Sequence, residues 1–372
     1  MREKQVLPVV VVTLTAALVA VVALWTLDRV GRGGTATVIS SGPDKVIEWK
    51  LVTTWPKGLP GLGAAPENFA RRVNEASGGR MRIKVFGAGE IVPAFEVFDA
   101  VSRGVAEAGH GAAYYWKGKH PACQFFSSVP FGLNAQEMNA WLYYGDGLKL
   151  WEELYDQFNL MPRPAGNTGV QMGGWFNKEI NNIKDLKGLT MRIPGLGGEV
   201  LQRAGGVPVT LAGAEIFTAL QTGTIDATEW VGPYNDRAFG LYKAAKYYYY
   251  PGWHEPGPSL ECIINKKAYL SLPNDLQEIV NVSCKAVNID MLSDYTSKNN
   301  LALDFLKKEN IEIKKFPESV IKKLRDISQE VMAEIGDHDN FTRKIYKSYY
   351  DFYKKVRPWT KISELAYLKA SK

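Results

Sequence analysis

The sequence predicts an α/β protein built from two lobes, and three observations support this fold class. Short β-rich runs alternate with helical runs in two separate sets, one on each side of about residue 169. With 372 residues and an ordinary globular composition, the chain is long enough for two domains of typical size. A helical stretch over residues 275–308 contains no breaker stronger than Ser or Asn, and it is long enough to cross between the lobes.

The first set of elements begins near residue 46. It consists of a strand at 46–53, a helix at 67–76, a strand at 81–86 and a helix at 93–103. Gly78 and Gly79 end the first of these helices and Gly104 ends the second, as expected of residues that stop a helix. This order is the βαβ rhythm of a mostly parallel sheet.

The second set begins near residue 169. We expect helices at 199–204 and 214–221, and strands at 171–176, 189–193, 207–211, 225–231 and, in a run of tyrosines, 247–250. A further strand at 260–265 then leads into the long helix. These elements assign residues 46–168 and 259–300 to lobe 1, and residues 169–258 and 301–340 to lobe 2.

The end of the chain is predicted to be helical and highly charged. Helices are expected at 318–335 and 341–356, and residues 341–372 form a C-terminal helical extension. Along the last helix, apolar residues recur at steps of three and four: Phe341, Ile345, Tyr349, Phe352 and Val356. Such a stripe must pack on another surface. Its own lobe and a second copy of the chain remain alternatives.

Residues 1–28 are predicted to be an export signal or a membrane anchor. Two basic residues, Arg2 and Lys4, precede an uncharged apolar run at 6–27 that is longer than a usual signal core and long enough to span a bilayer. Residues 29–45 then form a flexible tether rich in Gly, Ser and Thr. We therefore expect a periplasmic protein, either released by cleavage or held at the inner membrane by an uncleaved segment.

Composition excludes several classes of protein. The net charge of +6 comes from basic residues spread along the chain, so the sequence predicts no basic patch that would bind nucleic acid. The three cysteines lack zinc-site spacing and fit buried thiols better than a disulfide. The four histidines, His110, His120, His254 and His338, are too scattered to predict a histidine metal site.

Arg192 is the first candidate for a binding residue. It lies in the segment KGLTMRIPGLGG, where a short β run breaks at Pro194 and a glycine-rich turn follows. A guanidinium fixed at the end of a strand can pair both oxygens of a carboxylate, which a lysine cannot do. The alternative is an ordinary structural or surface arginine, because most charged residues are exposed.

Three more polar residues lie where predicted strands end in loops: Gln171, Glu229 and Glu255. In open α/β sheets such positions converge on the cleft that binds ligands. Their oxygens suit sodium or calcium, and a cation would offset the negative charge that two carboxylates and a bound acid bring beside one arginine. The alternative is that both glutamates are exposed or pair with lysines such as Lys243 and Lys246. Six aromatic residues border these loops and could wall a pocket or pack the lobe interface: Trp55, Tyr114, Tyr115, Trp175, Trp230 and Tyr234.

Several segments together carry a resemblance to a known family. The segments are WKLVTTWPKG, GGRMRIKVFGAGEIVPAFEVFDAVSRG, KGLTMRIPG, FTALQTGTIDATEW and INKKAYLSLP, in that order. They resemble the DctP-like solute-binding proteins of TRAP transporters over nearly everything after the tether. The GGWF and EWVGPYND segments are similar to those of the α-keto acid and lactate binders. The resemblance implies a periplasmic-binding-protein clamshell with mixed sheets, a long interlobe helix and a helical C-terminal extension.

The resemblance also implies a function and a set of site residues. The protein would bind a small monocarboxylate, either a 2-oxo acid such as pyruvate or lactate, and deliver it to the TRAP permease without catalysis. Arg192 would bind the carboxylate, with Gln171, Trp175, Tyr115 and Asn235 as further substrate-binding residues. A sodium or calcium ion would be held by Gln171, Glu229, Trp230 through its carbonyl, and Glu255. A homodimer through the C-terminal helix is also implied.

One alternative function belongs to a different class. Glu229 and Glu255 could hold a divalent metal in a membrane-tethered hydrolase that acts on carboxylic esters or amides. Turnover of such substrates would distinguish the hydrolase from a protein that only binds an acid.

Overall fold

The computed structural model describes residues 19–21 and 46–371 of the chain. The predicted leader and tether lie outside the described residues, except for residues 19–21, which are helical and exposed. Within the described ranges, no helix combines the length and the hydropathy that crossing a bilayer requires.

Residues 46–371 contain eleven strands, which alternate with helices for most of the chain. The strands are β1 (Ile47–Thr53), β2 (Met81–Phe86), β3 (Ala108–Gly111), β4 (Leu160–Asn167), β5 (Gly174–Phe176), β6 (Thr190–Arg192), β7 (Val207–Val209), β8 (Ala227–Thr228), β9 (Tyr247–Tyr250), β10 (Ser259–Asn265) and β11 (Glu312–Lys315). The helices are α1 (Ala64–Ala76), α2 (Val97–Ser102), α3 (Ala135–Tyr144), α4 (Gly147–Asp156), α5 (Gly195–Arg203), α6 (Gly213–Gln221), α7 (Pro233–Ala238), α8 (Lys266–Leu270), α9 (Asn274–Leu306), α10 (Glu318–Gly336), α11 (Asn340–Ile362) and α12 (Glu364–Ala370).

The strands form two separate sheets. The first has the order β2-β1-β3-β10-β4, and the second has the order β11-β9-β5-β8-β6-β7. In the first sheet β1 pairs in parallel with β2 and β3, whereas β10 runs antiparallel to both β3 and β4. In the second, β5 is antiparallel to both β8 and β9, and the other pairs are parallel. Both sheets are therefore mixed, which confirms the fold class that the family resemblance implies, and the βαβ rhythm of the first set corresponds to the parallel strands β2, β1 and β3.

The antiparallel part of the first sheet comes from one strand, β10. The chain completes β9 in the second sheet and returns to the first sheet at β10, which lies between β3 and β4 and is antiparallel to both. All seven residues of β10 are buried, so this strand lies in the interior of the molecule.

The long helix α9 connects elements of both sheets. It packs on β4 and on α1, which belong with the first sheet, and also on α7, which follows β8 of the second sheet. Its buried residues recur along its length from Leu276 to Leu306. This confirms the prediction of a long helix that bridges the two sheets.

The C-terminal stripe packs on the same molecule. Ile345 and Tyr349 are buried, and the Tyr349 hydroxyl accepts a hydrogen bond of 2.8 Å from the backbone N–H of Leu133. The Tyr349 ring meets the edge of Trp141, with 5.1 Å between the ring centroids. The first part of α11 is therefore held by the first sheet's helices. Beyond it, large apolar side chains are exposed: Trp359, Ile362, Leu365, Tyr367 and Leu368.

Glu261 is a buried carboxyl in the middle of β10. It accepts hydrogen bonds from the indole N–H of Trp116 and, at 2.9 Å, from the hydroxyl of Tyr155. Burial raises the pKa of Glu261 from 4.5 to about 8, and these two hydrogen bonds offset the rise only in part. The folded protein therefore holds a proton on this group that the unfolded chain releases at a much lower pH.

We predict that Glu261→Gln removes a pH dependence from the stability. A raised pKa in the folded state contributes stability below pH 4.5 that is lost as the pH rises through about 8. The glutamine variant cannot titrate, so its stability relative to the parent should increase between these values, by up to about 1.4 kcal/mol per pH unit.

Urea unfolding of both proteins across this pH range measures the difference. Glu334→Gln is the matched control, because Glu334 is exposed, pairs with Arg203 and has a lowered pKa. If the stability difference between the Glu261 variant and the parent stayed constant with pH, Glu261 would not have a raised pKa in the folded protein.

Candidate functional site

Arg192 is the last residue of β6, and its side chain is only 1% exposed. Its Nη1 pairs with the Glu229 carboxylate, its Nη2 donates to the Tyr115 hydroxyl at 3.1 Å, and its Nε donates to the Leu211 carbonyl at 3.3 Å. Burial is the largest single effect and lowers the pKa of Arg192, but the charge of Glu229 together with the contributions of Tyr115 and Tyr114 outweighs it, so that pKa is raised. Arg192 is therefore a buried, permanently charged group, and the surface alternative is wrong.

Glu229 directly follows β8, the strand that neighbours β6. Its backbone N–H donates to the Arg192 carbonyl at 3.1 Å, which extends the pairing of the two strands by one residue. The side chain is 1% exposed, with one carboxylate oxygen on Arg192 and the other 3.4 Å from Nε2 of His254. The alternative of an exposed or lysine-paired Glu229 is wrong.

Gln171 and Glu255 lie on two loops that are joined by hydrogen bonds. The backbone N–H of Gln171 donates to the Glu255 carbonyl at 3.1 Å, and Nε2 of Gln171 donates to the Glu255 carboxylate at 2.7 Å. Both side chains are buried. Burial raises the pKa of Glu255 well above its usual range, and the negative charge of Glu229 raises it further. The positive charge of Arg192 acts in the opposite direction but does not cancel the rise.

The orientation of Gln171 leaves one polar atom without a partner. Its Oε1 is buried and accepts no hydrogen bond within residues 46–371. Leaving a buried acceptor unpaired costs about 1–3 kcal/mol. Together with the raised pKa of Glu255, this atom fits a cation, since a positive ion would satisfy the oxygen and stabilise the ionised carboxylate.

His254 lies beside Glu229 and Glu255, a position that its place in the sequence does not predict. One donor atom from each of Glu229, His254 and Glu255 lies within 4.8 Å of the other two, so these three side chains could hold one metal ion. His254 is the residue directly before Glu255, and both ring nitrogens are buried without a hydrogen bond in the described part of the chain. The sequence predicts no histidine metal site because the four histidines are far apart. In the structure, the imidazole of His254 lies near two carboxylates instead, and these come from the loops that carry Glu229 and Glu255.

Two aromatic side chains contact the guanidinium, and a third packs against both of them. The Arg192 guanidinium lies 5.1 Å from the ring centroid of Trp230, and Trp55 meets Trp230 edge to face at 6.3 Å. Tyr115 packs 6.1 Å from Trp55 while its hydroxyl accepts from Arg192. Trp55 and Tyr115 follow strands of the first sheet, and Trp230 and Arg192 follow or end strands of the second. The site therefore lies between the two sheets.

Trp175 and Asn235 have other partners. Trp175 stacks on Tyr248 with 4.0 Å between centroids and donates its indole N–H to Asp236 at 2.9 Å. Asn235 donates to the Pro60 carbonyl at 2.7 Å and accepts from the hydroxyl of Tyr295. Within the described residues neither side chain hydrogen-bonds to Arg192, Glu229 or Glu255.

The glycine-rich segment after Pro194 also differs from its prediction. Residues 195–198 form the first turn of α5 rather than a separate turn. Gly195 has a φ of +63°, and a Cβ added there would lie 3.0 Å from the Cβ of Tyr114. The N-terminus of α5 thus touches the segment that carries Tyr114 and Tyr115. Glycine permits this approach, because it has no side chain and tolerates a positive φ.

The fold and the site together define a class of protein. Two mixed α/β sheets are bridged by one long helix, and a buried arginine, two carboxylates and an amide oxygen converge between them. This is the architecture of a two-lobed solute-binding protein, in which a small ligand is enclosed where the lobes meet.

Comparison with known proteins gives the family. The model of the family described as DctP, bacterial extracellular solute-binding protein, family 7, matches residues 51–339. The chain belongs to this family, whose members bind solutes and are not enzymes. The hydrolase alternative therefore has no support.

Similar proteins agree with this assignment. A monocarboxylate 2-oxoacid-binding periplasmic protein of Nostoc sp. is 45% identical over 86% of this chain and 88% of its own length. A crystal structure of a TRAP periplasmic solute-binding protein from Pseudoalteromonas atlantica, with bound sodium and pyruvate, is 47% identical with a TM-score of 0.85, over 87% of this chain and 99% of that chain. A TRAP transporter solute-binding protein from Bordetella bronchiseptica is 37% identical with a TM-score of 0.87, over 88% and 98% of the two chains. That structure is a mixed-occupancy dimer with copurified calcium and picolinate bound in one active site and the other site apo.

Proposed function

We propose that this protein binds a small 2-oxo monocarboxylate, represented by pyruvate, together with a sodium or calcium ion, and delivers it to a TRAP membrane permease. Lactate, the corresponding 2-hydroxy acid, is the second candidate ligand. The observation that carries the proposal is the convergence of Arg192, Gln171, Glu229 and Glu255 in one buried site between the sheets. Relatives that bind 2-oxo acids and pyruvate support this choice of ligand.

In this proposal Arg192 binds the ligand's carboxylate. Its Nη1 is committed to Glu229, whereas Nη2 makes only a neutral hydrogen bond to Tyr115, so Nη2 can also meet an anion. The face of Trp230 and the Tyr115 hydroxyl complete the surroundings of the guanidinium. Trp175 and Asn235 are then supporting residues that hold the surrounding elements, because their polar atoms already have protein partners.

A charge count explains why a cation is needed. Glu229, Glu255 and the bound carboxylate contribute three negative charges, and Arg192 contributes one positive charge. The remaining two negative charges would cost several kcal/mol to bury. A calcium ion neutralises both of them, while sodium neutralises one. The cation would be held by Oε1 of Gln171, the carboxylates of Glu229 and Glu255, and the carbonyl of Trp230, all of them hard oxygen donors.

In this proposal each of the two lobes is built around one of the two sheets. Residues 46–168 with 259–300 form lobe 1, residues 169–258 with 301–340 form lobe 2, and residues 341–372 form the C-terminal extension. Tyr115 of lobe 1 meets Arg192 of lobe 2, so bound ligand would stabilise the closed arrangement. We place the protein in the periplasm, with residues 1–28 as the export signal or as an inner-membrane anchor and residues 29–45 as a tether.

We predict that Arg192→Lys lowers the affinity for pyruvate by about a hundredfold or more, since lysine keeps the charge but cannot pair both Glu229 and the ligand. Calorimetry in calcium-containing buffer measures the change. Arg203→Lys is the matched control, because Arg203 forms an exposed pair with Glu334. Unchanged affinity of the Arg192 variant for pyruvate, other 2-oxo acids and lactate would remove Arg192 from its proposed role.

We predict that Gly195→Ala lowers ligand affinity roughly tenfold or more, because the new Cβ would crowd Tyr114 where the lobes meet. Gly188→Ala is the control. Gly188 also has a positive φ, +73°, but a Cβ there meets nothing within 4 Å. Both variants carry similar backbone strain, so pyruvate titrations that weaken equally in the two would contradict a specific effect at the lobe contact.

We also propose that two copies pair through the end of the C-terminal helix, where Trp359 and Ile362 are 65% and 72% exposed. Sedimentation velocity should give a dimer for the parent protein and a monomer for the double variant Trp359→Ser, Ile362→Ser. Tyr144→Ser, at a 93% exposed position elsewhere, should leave the dimer intact. A monomeric parent protein at micromolar concentration would contradict the pairing.

A further inference from the structure

Two of the three cysteines lie where the long helix α9 covers the first sheet. Cys262 is in the middle of β10 and Cys284 is on α9, and both thiols are free and buried. These two side chains belong to the same buried apolar cluster, whereas Cys123, the third free thiol, belongs to the other cluster. Cys262 and Cys284 are therefore the two thiols that the fold brings toward each other.

The Cys262 side chain lies on the face of the first sheet that α9 covers. Its neighbour Glu261 points to the opposite face, where it accepts a hydrogen bond from Tyr155, and successive residues of a strand alternate between the two faces. Arg163 of β4 lies directly across from Cys262, and its Nε donates to Oδ1 of Asn281 on α9 at 2.8 Å. Residues directly opposite on neighbouring strands share a face, so Cys262 faces α9 as Arg163 does.

Contacts on both sides of Cys284 hold this part of α9 against the strands. Asn281, which binds Arg163, precedes Cys284 by three positions, and residues at this spacing lie on one side of a helix. About two turns beyond Cys284, Sδ of Met291 lies 2.7 Å from the position of a Cβ built on Gly166 of β4. Cys284 lies between these two contacts and is itself buried, so its side chain points toward the sheet.

The two thiols also affect each other. The side chain of Cys284 is the largest cause that raises the pKa of Cys262 well above its usual range, ahead of burial. A hydrogen bond between two side chains has such an effect only when they are in contact. The strand register, the helix contacts and this interaction therefore all place the two thiols side by side.

We propose that Cys262 and Cys284 form a disulfide bond by thiol–disulfide exchange with a disulfide-bearing oxidant outside the cytoplasm. Disulfide bonds form and persist in that environment. One cysteine thiolate attacks a sulfur of the oxidant, which gives a mixed disulfide and releases one oxidant thiol. The other cysteine then attacks the protein sulfur of the mixed disulfide and releases the second oxidant thiol. The two cysteines lose two electrons and two protons, and one oxidant disulfide is reduced to two thiols.

Cys284 is the thiol that the oxidant reaches first. It lines a surface pocket of about 160 Å³ together with Arg163 and Lys285, whereas Cys262 is 0% exposed and does not line this pocket. Lys285 makes no ion pair within residues 46–371, and a cation near a thiol favours the reactive thiolate. The mixed disulfide therefore forms on Cys284, and Cys262 resolves it.

The bond would fix the bridging helix to one sheet. It joins residues 22 positions apart and so restricts the unfolded chain more than the folded protein. Because α9 also packs on α7, beside the second sheet, a covalent link to β10 would make the helix move with the first sheet when the lobes open.

The test counts free thiols in the full-length protein. The protein is reduced, separated from the reductant, incubated with oxidised glutathione, denatured, labelled with N-ethylmaleimide and weighed by mass spectrometry. Three labels are expected before oxidation and one afterwards, on Cys123. Peptide mapping without reductant should recover the Cys262–Cys284 pair. The oxidised protein should unfold at a temperature roughly 5 °C above that of the reduced protein.

Three variants identify the reacting thiols. Cys123→Ser is the matched control, because Cys123 is equally buried, and it should keep both the disulfide and the shift in unfolding temperature. Cys262→Ser should stop at a stable glutathione adduct on Cys284, since no second thiol resolves it. Cys284→Ser should form no adduct, because the pocket thiol is gone.

Several results would overturn the proposal. They are three labels after oxidation, a stable glutathione adduct on the parent protein, or a disulfide that contains Cys123 or links two chains. Should a serine variant not fold, the peptide map of the parent protein decides the question. None of these measurements involves pyruvate or a cation, so the proposed function stands or falls separately.

Discussion

The arrangement of the site depends on one buried imbalance of charge. Arg192 and Glu229 form an ion pair that is almost fully withdrawn from water, and Glu255 lies close enough that the charge of Glu229 helps to raise its pKa. One guanidinium cannot neutralise both carboxylates and also a bound anion. Burying unpaired charge is expensive, so the site is complete only when it holds a proton or a cation beside the arginine.

The surrounding fold serves to hold these groups at fixed positions. The pairing of β6 with β8 sets Arg192 beside Glu229, and a backbone hydrogen bond between these residues continues that register. Gln171 and Glu255 are joined by both backbone and side-chain hydrogen bonds. On the side of the first sheet, buried Glu261 binds the indole of Trp116 and so anchors the turn that carries Tyr115. The site residues therefore orient one another in pairs, and Glu261 adds a support from outside the site.

Part of this arrangement follows from the sequence. The β period, the glycines after helices and the strand-end position of Arg192 predict the α/β class, most elements and the central arginine. The antiparallel placement of β10 cannot be predicted in this way, because it depends on a passage between sheets that leaves no periodic signal. The sequence does not predict the strand β4 or the helices α3 and α4 either, because residues 135–167 mix aromatic, proline and charged residues without a clear period.

The residues of the candidate site are also only partly predictable from the sequence. Strand ends and hard oxygen donors point to Gln171, Glu229 and Glu255. Trp175 and Asn235 are expected in the site only from the family resemblance, and in the described part of the chain their side chains hydrogen-bond to Asp236 and Pro60. The four histidines are too scattered in sequence to predict a histidine site, so His254 carries no signal of its own. It meets the acidic pair only because the fold brings Glu229, from a loop 25 positions earlier in the chain, to within 3.4 Å of its ring.

The charge imbalance also links the two ligands of the proposed function. Without a cation, Glu229 and Glu255 oppose the entry of a second anion beside Arg192. Without the anion, the cation has one oxygen donor fewer. Each ligand therefore increases the affinity for the other by the same factor, as thermodynamic reciprocity requires. A binding protein built in this way takes up its acid only where the cation is abundant, so the ionic composition outside the cytoplasm becomes part of the specificity of the site.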